Sequence, residues 1–286
     1  MLEMLVDARN ELGEGALWCE RTGRVLWTDI NRSVLWAYHP ASGSTQSWPM
    51  PERLGSFALT TSDDRLLLGL ASRLAFFDFS SGEVTTVCEI EPGLGTRMND
   101  GRCDRQGRFV FGTFNEAVPK EAIGGFYRLN HDLSLDRLDL PKVAIANSIC
   151  FSPDGTIMYY ADSPEKAIRC CDYDTETGAV SAPRVFAVLE GEGEPDGSCI
   201  DAEGYLWNAQ WGGSRVVRYA PDGSIEHILA VPAVQPSCVA IGGPGMDVVY
   251  VTSARVGMEL PAPQDGGLFA KAMDDIRGLP ESRFRL

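Results

Sequence analysis

Short apolar runs alternate with tight polar turns along this chain, and the alternation repeats six times in register. Turns rich in Asp, Gly, Ser and Arg fall at 20–24, 62–65, 104–108, 152–156, 201–205 and 242–246, and an apolar run follows each one at 25–28, 66–69, 109–112, 157–160, 206–209 and 248–251. A third run, β-branched or aromatic, comes next at 34–38, 74–78, 125–128, 168–172, 216–219 and 267–271. Runs this short, with this composition and bounded by turn residues, predict strands. More polar segments at 45–48, 84–88, 135–138, 184–188 and 225–229 fit solvent-facing edge strands. Superposing the first strands places Leu17, Phe57, Cys103, Cys150, Cys199 and Cys238 at one equivalent position, with a spacing of 39 to 49 residues.

A unit of that size cannot bury both faces of its own sheet. Radial packing of four-stranded units solves the problem, so the pattern predicts an all-β fold: a six-bladed β-propeller of four-stranded antiparallel blades around a central axis, as one domain over residues 1–286. Only five fourth strands lie between cassettes. Residues 2–6, which precede the first cassette and have no other partner, are expected to complete the sixth blade; the alternative, 283–286, is shorter.

The first strand of each blade lies nearest the axis, so its mouth end converges with five others. Three residues before each superposed position stand Glu14, Leu54, Asp100, Asn147, Asp196 and Gln235. A ring of carboxylate and amide oxygens of modest charge suits Ca²⁺, Mg²⁺ or Mn²⁺ with room left for water or substrate. The competing reading makes Asp100-Gly101 and Asp196-Gly197 turn residues whose carboxylates bind nearby backbone amides.

Composition narrows the partners. A formal charge of -15 argues against nucleic acid and against an anionic membrane surface. The first residues hold neither a basic segment nor a long apolar run, so neither a secretory signal nor a transmembrane helix is expected. Four of the eight cysteines occupy the superposed first-strand position and read as small buried hydrophobes of a reduced, cytoplasmic protein. Cys170 and Cys171 are neighbours on a strand and should face opposite ways. His39, His131 and His227 fall at outer positions, no GxSxG string is present, and no His/Cys cluster suggests zinc. Gly212-Gly-Ser-Arg215 lacks the following helix that phosphate binding requires and reads as a blade turn, with Trp211 either walling a pocket or capping the core.

Several strings resemble one family: Leu12-Gly-Glu-Gly15 with Trp18, Arg97-Met-Asn-Asp-Gly101 with Gly112-Thr113, Asn147 ahead of Ser152-Pro-Asp-Gly155, Pro195-Asp-Gly197 with Trp207, and Val251-Thr-Ser-Ala-Arg255. They resemble, in order and over nearly the whole chain, the regucalcin (senescence marker protein) and bacterial gluconolactonase family, six-bladed propellers that hydrolyse sugar lactones with one divalent metal ion. The resemblance implies that Glu14, Asn147 and Asp196 are metal ligands, that Arg97 and Asn99 belong to the substrate pocket, and that Glu116 contacts substrate hydroxyls. It selects Asn99 where the repeat register selects Asp100, and a local bulge could turn either inward. Ser148 replaces a glycine often found after the asparagine ligand.

The expected reaction is opening of an aldonolactone to the aldonic acid. One divalent ion, of Ca²⁺, Mg²⁺, Mn²⁺, Zn²⁺ or Fe²⁺, would stabilise the developing oxyanion, and Asp196 would act as general base toward water. Arg97 would donate to a substrate oxygen, its alternative being a surface pair with Asp100. A metal-dependent phosphotriesterase or other esterase, and a calcium-binding propeller without turnover, are the competing functions. The particular lactone, the native metal and the oligomeric state have no signature in the sequence.

Overall fold

The computed structural model describes residues 2–286 and consists almost entirely of strands. They form six four-stranded antiparallel sheets arranged as the blades of a six-bladed β-propeller. The inner strands are Gly13–Cys19, Leu54–Leu59, Thr96–Cys103, Ala146–Phe151, Glu194–Ile200 and Gln235–Gly242, in blades 1 to 6 respectively. The strand Glu3–Val6 pairs with Leu268–Ala272, so the first strand of the chain completes the last blade, as the unpaired residues 2–6 predict. Among the described residues the sole helical element is one 3₁₀ turn, Ser163–Glu165, and no helix is long and apolar enough to cross a membrane.

Adjacent blades share apolar layers. Leu17, Leu26 and Leu35 of blade 1 pack with Phe57, Leu68 and Phe77 of blade 2, and the same relation repeats around the ring. The cysteines behave as the repeat implies: all eight are free, and Cys103, Cys150, Cys199 and Cys238 are buried. Cys170 and Cys171 join different apolar layers, on opposite faces of their strand.

Every inner strand carries one extra residue relative to its neighbour near the mouth of the ring. In blade 1 the pairing steps from Glu14–Thr28 to Leu17–Leu26, in blade 3 from Met98–Thr113 to Gly101–Phe111, in blade 4 from Asn147–Ala161 to Cys150–Tyr159, and in blade 5 from Pro195–Gln210 to Ser198–Asn208. Blades 2 and 6 show the same irregularity, between Leu54 and Ser56 and between Pro236 and Cys238. Such bulges bend a strand and re-aim its side chains. In blades 1 and 4 the residue after the ligand position enters the left-handed region: Gly15 at φ 62° and Ser148 at φ 61°. Glycine does this freely, whereas serine needs compensation. Ser148 Oγ supplies it by meeting Asp196 O at 2.8 Å and Ser198 Oγ at 2.9 Å, while Asn208 Nδ2 donates to it at 3.0 Å.

The inner strands of blades 1 and 4 also start alike. Asp29 accepts from the backbone N–H groups of Glu11 and Leu12 at 2.9 and 3.1 Å, and Asp162 accepts from those of Ala144 and Ile145, both at 2.9 Å. At the opposite end, turn aspartates Asp104 and Asp201 are fully buried; Asp201 receives Trp207 Nε1 and the Arg218 guanidinium. The C-terminal segment crosses that end. Gly278 N donates to Met246 O in blade 6, Glu281 pairs with Arg102 of blade 3 at 2.9 Å, and Phe284 exchanges backbone hydrogen bonds with Leu59 and Thr61 of blade 2. Phe284 itself is completely buried beside Leu67, Phe109 and Leu129.

Two stability predictions follow from these features. Phe284→Ala should cost about 3–5 kcal/mol in denaturant unfolding, with Leu286→Ala, an exposed neighbour, as the near-neutral control; equal behaviour of the two would show that the strap does not brace the ring. Ser148→Gly should be more stable than Ser148→Ala by about 1 kcal/mol, because both lose the hydroxyl contacts but only alanine keeps the left-handed penalty. The reverse order would mean that the backbone relaxes at this position.

Candidate metal centre and substrate pocket

The bulged ends of the inner strands surround a cavity of about 320 Å³ at the mouth of the ring. Glu14, Asn147 and Asp196 line it together with Arg97, Asn99 and Glu116, so all six residues singled out from the sequence meet in one pocket. Arg53, Phe114, Ser163, Glu194 and Trp211 complete much of the wall. Trp211 therefore walls the pocket. The other positions of the repeat ring do not line the cavity: Leu54 is buried in the apolar layer between blades, and Asp100 and Gln235 lie outside the lining.

The bulge in blade 3 decides between Asn99 and Asp100. Counted from the last regular pair before each bulge, Asn99 follows Met98 as Asp196 follows Pro195, so Asn99 is the structural equivalent of Asp196. The repeat register that equates Asp100 with Asp196 is thus displaced by one residue. Asp100 lies outside the lining, where it accepts from the backbone N–H groups of Gly101 at 2.8 Å and Ile149 at 2.7 Å, yet its charge still reaches Glu14. It ties blade 3 to the bulge that follows Asn147. Neither does it pair with Arg97.

Arg97 is buried and starts a directed chain of hydrogen bonds. A guanidinium can only donate, so its Nη1, 2.7 Å from Asn99 Oδ1, makes that oxygen the acceptor. Asn99 Nδ2 must then donate, and it reaches Asn147 Oδ1 at 2.9 Å and Ala146 O at 2.8 Å. Asn147 Nδ2 donates in turn to Ser163 Oγ at 2.8 Å, and Ser163 passes its own hydrogen to Pro195 O at 2.7 Å. The chain fixes which face of the Asn147 amide is oxygen and ends beside Asp196. Arg97 thereby orients a candidate ligand through Asn99, a role that sequence reasoning did not assign to it. Its guanidinium also sits 4.3 Å from the centre of the Phe114 ring. Burial lowers its pKa to about 10, which leaves it charged at neutral pH.

The two carboxylates are the least comfortable charges in the protein. Burial, and then the charge of Asp100, raises the Glu14 pKa to about 8. Burial, followed by the charge of Glu14, pushes Asp196 well above the ordinary carboxylate range. Like charges removed from water and held together favour a cation between them. No three His, Cys, Asp or Glu side chains cluster as ligands among the described residues. The donor set here has two carboxylates with an amide oxygen as third member, all hard oxygens, and it fits a divalent cation of the calcium or magnesium type. Ser163 and Arg53 are pocket residues that the sequence did not flag. No motif in the sequence marked either of them.

Comparison with known proteins places this geometry in a lineage. Residues 12–255 match the family described as SMP-30/Gluconolactonase/LRE-like region. An L-arabinolactonase of Azospirillum brasilense is 53% identical over 98% of this chain and 94% of its own length. Regucalcin of Xenopus laevis is 31% identical, with 99% of this chain and 98% of that protein covered. The crystal structure of a regucalcin from Agrobacterium tumefaciens, described as a calcium-binding protein, superposes with a TM-score of 0.94 at 32% identity over 100% of this chain and 98% of that one. The six-bladed architecture, the matched region and these similarities together make the chain a member of the SMP-30/gluconolactonase/LRE-like family.

Proposed function

We propose that this protein is a sugar lactonase that opens an aldonolactone to the aldonic acid with the help of one divalent metal ion. The observation that carries this reading is that Glu14 and Asp196 share the wall of a cavity of sugar size with the oriented Asn147 oxygen. The similarity to an L-arabinolactonase makes a pentonolactone the first substrate to test.

Glu14, Asn147 and Asp196 would hold the ion, and Ca²⁺ heads the candidates because all donors are oxygens and a structurally similar regucalcin is described as calcium-binding. When bound, the ion supplies positive charge to stabilise the oxyanion that develops on the lactone carbonyl. The reaction otherwise needs a water molecule directed at the carbonyl carbon and a proton moved from it. Asp196 would orient that water through a carboxylate oxygen, take its proton as the water oxygen bonds to carbon, and return a proton to the ring oxygen as the ring C–O bond breaks. Arg97 would donate to the substrate from the floor while keeping Asn99 and Asn147 in register. Phe114 and Trp211 offer apolar faces to the C–H side of the sugar, and Glu116 accepts from a hydroxyl.

Because Asp196 is assigned two roles, its replacement should behave differently from that of Glu14. With aldonolactone and saturating metal, Asp196→Asn should remain about 10²- to 10⁴-fold slow, the usual contribution of a general base, whereas Glu14→Gln should regain most of its turnover as metal is added. Metal affinity measured by calorimetry should fall in both. Recovery of both variants to the same degree would leave Asp196 as a ligand only.

A further inference from the structure

We propose that Arg53 is a specificity-determining residue of the lactone site, which clamps Glu116 at the rim so that the two side chains together read a pair of neighbouring hydroxyls on the sugar. The proposal deepens the lactonase reading and rests on it. Arg53 Nη1 lies 2.5 Å from Glu116 Oε1 and Nη2 lies 2.8 Å from Oε2, a two-pronged contact in which fork meets fork. The Arg53 and Glu116 side chains are 36% and 38% exposed, and both residues line the cavity that holds Glu14 and Asp196. Half-exposed ion pairs contribute little to folding, so stability alone gives no reason for this one to span two blades.

Both partners come from braced backbone. Ala71 N donates to Arg53 O at 2.8 Å, and the preceding Glu52 is held by Ser72 N and Oγ at 3.1 and 2.7 Å and by Arg73 at 3.0 Å. Across the mouth, Asn115 organises the loop that carries Glu116: its Nδ2 donates to Glu121 O at 2.8 Å, and its Oδ1 accepts from Ala117 N at 2.9 Å. The hydrogen bond and charge of Arg53 keep Glu116 below the usual carboxylate range, hence ionised.

The geometry leaves a defined set of unused groups. Each Glu116 oxygen has a further lone pair and each Arg53 Nη has a further N–H, all close to one plane. A hydroxyl that donates to Glu116 and an adjacent hydroxyl that accepts from Arg53 would satisfy this set together. Blade 2 offers no other polar side chain to the pocket, since its ring position is the buried Leu54. The epimer whose two hydroxyls diverge would leave either the acceptor or the donor unmatched, and unmatched polar groups discriminate more strongly than missing apolar contact.

The test compares wild type, Arg53→Met, Arg53→Lys and Glu116→Gln on a panel of pentono- and hexonolactones that differ in configuration at carbons remote from the carbonyl. Arg53→Met should raise KM for the preferred lactone about tenfold or more, as for loss of charged hydrogen bonds, and should flatten the ratio of kcat/KM between epimers. Arg53→Lys should not restore that ratio, because an ammonium lacks the fork. Glu116→Gln in the Arg53→Met background should add little further loss. An unchanged epimer ratio in Arg53→Met, whether with wild-type KM or with kcat reduced equally for every lactone, would overturn the assignment. Should wild type open no lactone, the lactonase reading fails separately, and calorimetric binding of the corresponding aldonates decides the question for Arg53: selective binding lost in Arg53→Met supports it, and equal selectivity overturns it.

Discussion

The constraint on which this architecture turns is the meeting of like charges at its axis. Six inner strands converge, and two of them deliver carboxylates, the half-buried Glu14 and the buried Asp196, to one cavity. Alone, each would prefer water or a proton. The surroundings accept that cost by fixing everything near the pair: Asp29 and Asp162 hold the entries of blades 1 and 4, Ser148 grips the backbone oxygen of Asp196, and the Arg97–Asn99–Asn147–Ser163 chain sets the amide between them. The proposed cation site needs its oxygens kept close whether or not an ion is present, and covalent continuity with six packed blades keeps them there.

Much of this was legible from the residues. Blade number, strand order within a blade and closure by residues 2–6 followed from periodicity, because packing repeats impose the same apolar spacing on each unit. Glu14, Asn147 and Asp196 are three of six ring positions at which the repeats differ, and it was the family resemblance that selected them as candidate ligands. The bulge is where this legibility stopped. An extra residue in each inner strand is invisible to counting from the core position, and in blade 3 its placement makes Asn99, not Asp100, the partner of Asp196 in the ring. Arg53 escaped for a different reason: it sits beside an apolar ring position on a connection between blades, and only the approach of Glu116 from another loop gives it meaning. Serine after Asn147 looked like a mild departure; in the structure it occupies a left-handed conformation and repays the strain through its hydroxyl.

Charge is distributed unevenly with respect to the pocket. The chain carries a formal charge of -15, yet Arg53, Arg97 and Lys120 gather around the single Glu116 at one side of the mouth. Arg97 and Lys120 approach the same Phe114 ring, at 4.3 and 4.1 Å, and Glu116 adds its negative charge beside both. The acidic pair and the basic rim thus sit in one cavity, one side suited to a cation and the other to hydroxyl and carboxylate oxygens.

Closure of blade 6 by Glu3–Val6 carries a consequence for biosynthesis. Glu3–Val6 leave the ribosome some time before their partners in Leu268–Ala272, from which the other five blades separate them in sequence. Each blade can form its own hairpins as it emerges, but the seam between the first and sixth blades stays open until Leu268–Ala272 have been made. During that interval the free side of Gly13–Cys19 and the unpartnered N-terminal strand are both available to other chains, and in a crowded cell a second nascent copy offers the same complementary pieces. The circular topology that makes the finished ring hard to open also makes its last joint the point at which assembly can go wrong.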